Sequence, residues 1–172
     1  MASLGHIAIG VAAARAEQVD VAAGRPPLSA MLFWAALSFL PDADVIGFPL
    51  GVRYGDEWGH RGASHSVVFA LLVGSAIGLL APRYRRSRLR TGLFAVLVLA
   101  SHGLLDTFTD GGLGIALLWP FDQTRYFAPW TPIPVSPIGL GYLSPYGLYV
   151  AATELVLFAP LFWYAWRARG AR

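Results

Sequence analysis

Residues 91–109, TGLFAVLVLASHGLLDTFT, form an apolar run long enough to cross a bilayer, and a histidine and an aspartate stand inside it four positions apart. A membrane helix needs about 20 predominantly apolar residues, so this run predicts a span. His102 and Asp106 then lie one turn apart on a single helical face. Ionisable side chains are costly in such a segment and are generally functional or paired. The pair alone reads equally as two ligands of one ion or as a hydrogen-bonding link between helices.

The rest of the chain repeats the pattern. Residues 64–82 and 147–166 are also long enough to span, while the apolar runs 4–16 and 28–40 are shorter and read as half-spans or packed helices. Only 13% of the residues are charged, 56% are hydrophobic, and the mean hydropathy is +0.54. A soluble domain carries about a quarter charged residues. The expected fold is all-α: a polytopic helical membrane protein of four to five membrane-embedded helices, forming one domain over residues 1–172. An aromatic region rich in Pro and Gly lies between the last two helices. No internal repeat stands out, and the N-terminus lacks the pattern of a cleavable signal peptide.

Charge sets the expected orientation. All 13 basic residues are arginine, and the formal net charge is +3. They cluster at the ends of apolar runs, in RYRRSRLR (83–90) and RARGAR (167–172). That distribution suits anionic lipid head groups better than a nucleic-acid groove, so lipid and no nucleic acid is the expected partner. By the positive-inside rule both clusters face the cytoplasm. Tracing the segments from there brings His6, Asp42, Asp44, His60, His65, His102 and Asp106 to the non-cytoplasmic face of a prokaryotic inner membrane.

With no cysteine in the chain, any metal must be held by histidine and carboxylate, the usual ligands of zinc, manganese or iron when thiols are absent. PDAD (41–44) reads as a helix stop with its aspartates in a turn, or as one or two carboxylate ligands. HRGASHS (60–66) reads as a helix start with Ser64 as N-cap, where Arg61 and the helix N-terminus would receive a phosphate. Its other reading is an interfacial arginine with two surface histidines. Glu154, in the last segment, is a supporting group or base, or the partner of a buried polar group.

The ordered set His6, P-D-A-D (41–44), H-R-G-A-S-H-S (60–66), H-G-L-L-D-T-F-T (102–109) and L-L-W-P-F (117–121) resembles the YdjM-type membrane-bound metal-dependent hydrolase family. That family is related to the zinc-dependent phospholipase C and S1/P1 nuclease group. The resemblance covers the chain from His6 to about Phe121 and leaves the last fifty or so residues unmatched. It implies metal ligands at His6, Asp42, His65, His102 and Asp106, with His60 and Asp44 beside them. Gly5 and Ser64 stand where the family favours threonine, next to ligands rather than at them.

The resulting expectation is hydrolysis of a phosphoester of a lipid or amphipathic substrate by water activated on one or two divalent ions, zinc first. Asp42 or Asp44 would orient or deprotonate the water. Arg61, Ser64, Ser66 and Trp119 would meet the substrate, and Ser101, Thr109 and Glu154 would support the ligands. The same residues also fit a non-enzymatic membrane protein, a transporter or assembly factor with a structural His/Asp metal site, or an interhelical polar network.

Overall fold

The computed structural model describes residues 2–17, 26–81 and 87–167. The described residues form an all-helical bundle of five α-helices: α1 (Ser3–Glu17), α2 (Leu28–Ser38), α3 (Val67–Leu80), α4 (Arg88–Thr107) and α5 (Pro145–Trp166). Three 3-10 helices join them: η1 (Leu40–Leu50), η2 (Ala63–His65) and η3 (Gly139–Leu143). Most of both arginine clusters lies outside the described residues.

The helices run alternately between two ends. Backbones of α3 and α4 meet antiparallel at glycine: a Cβ added to Gly78 would lie 2.6 Å from the Gly92 Cα, and one on Gly74 2.5 Å from the Val96 nitrogen. Small residues permit such close approach where lipid supplies no hydrophobic drive between helices. Gly10 does the same for α1, where an added Cβ would meet the Trp34 carbonyl at 2.6 Å. Trp34 then fills the middle of the bundle with Ala14, Leu37, Ala70, Ala95, Val98 and Leu99.

One end carries arginine. Arg90 donates to the Ala16 carbonyl at 2.9 Å, and Arg15 donates to the Arg167 carbonyl. The opposite end gathers the N-termini of α1, α3 and α5 and the C-termini of α2 and α4. At this end Glu154 Oε2 accepts from the Leu4 and Gly5 amides at 2.5 and 3.1 Å. A carboxylate of α5 thus satisfies the otherwise orphaned first amides of α1.

Two expectations need correction. The run 64–82 forms a helix of 14 residues, Val67–Leu80, about 21 Å long and short of the hydrocarbon thickness. Among the described residues two helices, α4 and α5, are long and apolar enough to cross a membrane, or three spans if α2 and η1, bent by 52°, count as one. The aspartates of PDAD do not sit in a simple turn after α2. Pro41 ends the α-helical pattern, but the chain continues as an 11-residue 3-10 helix, η1. Pro is accepted near a helix start because its missing N–H has no partner to lose there.

The aromatic region after α4 is irregular, as its Pro and Gly content predicts. Isolated bridges pair Thr109 with Ile133 and Ile115 with Tyr126, and the Trp119–Pro120 bond is cis.

Candidate metal centre

The helix ends converge on a buried cluster. His102 projects from the last turns of α4, His65 closes η2, and Asp42 sits in the first turn of η1. His102 Nε2 and His65 Nε2 are 3.2 Å apart. Each lies 3.4 Å from Asp42 Oδ1. Asp106 Oδ2 is 4.0 Å from His65 Nε2, and one ligand atom from each of these four residues falls within 4.8 Å of the others. Donors about 2.0–2.2 Å from a tetrahedral ion stand about 3.3–3.6 Å from one another, so the three closest atoms have the spacing of a shared ligand shell.

The far side of each ring fixes its tautomer. His102 Nδ1 lies 2.6 Å from the Ser38 carbonyl and must donate to it. His65 Nδ1 faces Ser64 Oγ at 3.0 Å and Asp44 Oδ2 at 3.3 Å, while that hydroxyl gives its own proton to Asp44 at 2.7 Å. With both Nδ1 atoms as donors, each neutral ring turns an Nε2 lone pair toward the other and toward Asp42. Neither Asp42 oxygen has a hydrogen-bond partner among the described residues, although both are buried. Such an arrangement calls for a cation or an extra proton. Burial alone would lower the His65 pKa, but the carboxylates of Asp42 and Asp44 beside the ring outweigh it and raise it to about 8.

Supporting contacts surround these atoms. Asp44 Oδ1 pairs with His60 Nδ1 at 2.7 Å, and its Oδ2 accepts from the Arg61 amide at 3.2 Å. Arg61 holds a left-handed backbone, φ 66°, and its side chain is buried. The guanidinium donates to the Gly111 carbonyl at 2.5 Å and to Thr109 Oγ1 at 3.0 Å, with Nε 3.5 Å from Asp106 Oδ2. His6 stacks on His102, centroids 3.7 Å apart, and its Nε2 meets Asp106 Oδ1 at 3.1 Å.

The structure therefore brings His6, Asp42, Asp44, His60, Arg61, His65, His102, Asp106 and Thr109 into one connected cluster. Other expected residues lie differently. The N-cap of α3 is Ser66, which accepts from the Phe69 amide at 3.0 Å; Ser64 instead belongs to the 3-10 turn before it and serves Asp44. Ser101 donates to its own helix at Val98, 2.7 Å. Trp119 donates to Glu57 at 2.5 Å and packs edge-on against Trp58 in the loop layer. Glu154 acts on the α1 amides of Leu4 and Gly5, the two residues just before His6.

Three contributors escape sequence reading. The Ser38 carbonyl is backbone and leaves no side-chain signal. Tyr54 packs its ring edge-on against His60, centroids 5.1 Å apart, and Arg125 donates to the His60 carbonyl at 3.1 Å.

The comparisons with known proteins agree with this architecture. The family model described as YdjM inner membrane protein matches residues 1–171. The chain is 47% identical over 122 residues to the inner membrane protein YbcI of Escherichia coli (strain K12), covering 70% of each chain. No solved structure matches it. With a match over nearly its whole length and apolar helices closing on a buried His/Asp cluster, the chain belongs to the YdjM family of integral inner membrane proteins.

Proposed function

We propose that the protein is a membrane-bound metal-dependent hydrolase centred on Asp42, His65 and His102, with Asp106 completing the donor set. The observation that carries this reading is the triangle of donors 3.2–3.4 Å apart, in which both imidazoles spend their N–H on outer partners. A divalent cation held there, zinc first and manganese or iron by the same donor chemistry, supplies Lewis acidity and a nucleophile drawn from water at neutral pH.

The chain's own residues do the rest. Asp44 holds His65 and His60 in register. Arg61, anchored by Thr109 and Gly111, balances the charge of Asp106 rather than facing an open cleft. His6 covers one face of His102. Asp42, whose two buried oxygens have no hydrogen-bond partner among the described residues, is the carboxylate left to orient or deprotonate a water. The bilayer setting and the resemblance to the phospholipase C group support a phosphoester of a lipid or amphipathic molecule as substrate. Arg15, Arg88, Arg90 and Arg167 gather at the opposite end of the bundle, which supports a centre near the non-cytoplasmic face.

The test is metal content by mass spectrometry on detergent-purified protein, followed by release of phosphorylated head groups from a phospholipid panel. Near-stoichiometric metal that is lost in His102→Ala and Asp42→Ala, together with metal-dependent release, is the expected result. Wild type that stays metal-free after loading sinks the reading. Burial of the donors favours a second reading, a closed structural His/Asp centre; bound metal with no hydrolysis of any phospholipid would select it.

A further inference from the structure

The helix that carries both aspartates has a second face that the candidate centre does not use. A 3-10 helix repeats every three residues, so in η1 Leu40, Ala43, Ile46 and Pro49 fall on one line, extended by Leu50. All five are exposed, Leu40 by 38%, Ile46 by 65% and Leu50 by 79%. Pro41 and Asp42 are buried, and the Asp44 carboxylate is 5% exposed. The helix is thus inverted relative to a water-facing one, with carboxylates inward and hydrocarbon outward.

Its depth follows from the centre. Asp42, in the first turn of η1, lies 3.4 Å from His102, and His102 stands five residues before the end of α4, about 8 Å along that helix. Hence η1 begins just inside one boundary of a candidate span and departs from α2 at 52°. Its stripe continues the exposed apolar face of α2, formed by Leu32, Phe33 and Ala36. Exposed charge resumes immediately beyond it: Gly51 turns the chain with φ 90°, and Arg53, Asp56 and Glu57 follow.

We propose that η1 is an interfacial membrane element. Its Leu40–Ala43–Ile46–Pro49–Leu50 stripe inserts at the boundary between lipid head groups and acyl chains, and its aspartates turn inward to the centre. The occupant of the stripe is bilayer lipid: the stripe is wholly apolar, it extends a lipid-facing helix surface, and it stops where the charged residues begin. Amphipathic helices of this kind bury their apolar face about 5–10 Å into that boundary. The inference stands whether or not the centre is catalytic.

The absence of cysteine makes the test direct. Ala43→Cys, Ile46→Cys, Leu50→Cys and, as the water-side reference, Arg53→Cys are each spin-labelled and reconstituted in phosphatidylcholine–phosphatidylglycerol vesicles. Collision with oxygen is compared with collision with chromium oxalate. Oxygen should dominate at 43, 46 and 50 and chromium oxalate at 53. Dominance of chromium oxalate at 46 and 50 overturns the proposal, as does low access to both reagents with spin–spin broadening, which would mark a second copy on the stripe. Should a label disturb folding, the unlabelled variants in sheared native membranes serve instead. Their reaction with a charged maleimide should be several-fold slower at 46 and 50 than at 53, and equal rates overturn the proposal.

Discussion

His102 is clasped by two groups of one chain segment: its Nδ1 donates to the Ser38 carbonyl at 2.6 Å, and its Nε2 lies 3.4 Å from Asp42 Oδ1. Those partners lie four positions apart, across the break between α2 and η1. The break therefore sets both the tautomer of the histidine and the position of the carboxylate facing it. His102→Ala and Asp42→Asn should each abolish stoichiometric metal binding, read by mass spectrometry of the purified variants. Retention of full metal content in either would remove that residue from the centre.

Asp44 works one step further out. It accepts the Ser64 hydroxyl proton, while Ser64 Oγ accepts from His65 Nδ1, and it pairs with His60, so a carboxylate orients the His65 imidazole through a hydroxyl. Loss of such a partner lowers metal affinity about 10- to 100-fold. Asp44→Asn should weaken zinc binding by that order in competition with a chelator while the protein still extracts as a folded species. An affinity equal to wild type would separate Asp44 from the centre.

Gly103 follows His102 and faces the loop that carries the other histidine. A Cβ there would run into the His65 carbonyl oxygen, a backbone atom that cannot swing aside. Gly103→Ala should displace His65, reduce metal content and lower stability by about 1–3 kcal/mol, the usual cost of overpacking. Thermal unfolding in detergent and metal analysis on the same sample check both effects.

Glu154 caps α1 from a different helix. Glu154→Leu leaves the Leu4 and Gly5 amides without their acceptor and should cost about 0.5–2 kcal/mol, as loss of a helix cap does. Glu154→Gln keeps a carbonyl oxygen and should melt closer to wild type. Equal melting temperatures for wild type and Glu154→Leu would show that the cap contributes nothing.

At the proposed centre protons would compete with metal for His65. Its metal-free pKa is raised to about 8 from 6.5, because the neighbouring carboxylates of Asp42 and Asp44 outweigh the desolvation that lowers it. Binding requires the unprotonated ring, so zinc affinity should rise with pH up to about 8 and then level off. The same shift acts oppositely on the metal-free fold. Its stabilising contribution is complete below pH 6.5 and is lost as pH rises through about 8. Parallel melts of metal-free and zinc-loaded protein across that range should converge at low pH and diverge at high pH.

The sequence by itself determined that the chain is helical and membrane-embedded, because apolar runs of bilayer length admit no other backbone solution. It also determined which end of each helix carries the polar groups, since charge placement and segment order are linear properties. The convergence of His6, PDAD, HRGASHS and His102–Asp106 was legible for that reason. Tertiary structure alone decided which atoms meet. Nothing linear says that Asp44 serves the outer sides of His65 and His60 while Asp42 faces His65 and His102 together, or that Arg61 turns inward to Asp106. Nor does it say that Ser66 rather than Ser64 caps α3, because those choices depend on how far η1 and η2 rotate against α4. Glu154 shows the same division: its burial was readable from the apolar run around it, but its partner, the start of a helix some 150 residues earlier, exists only once α1 packs against α5.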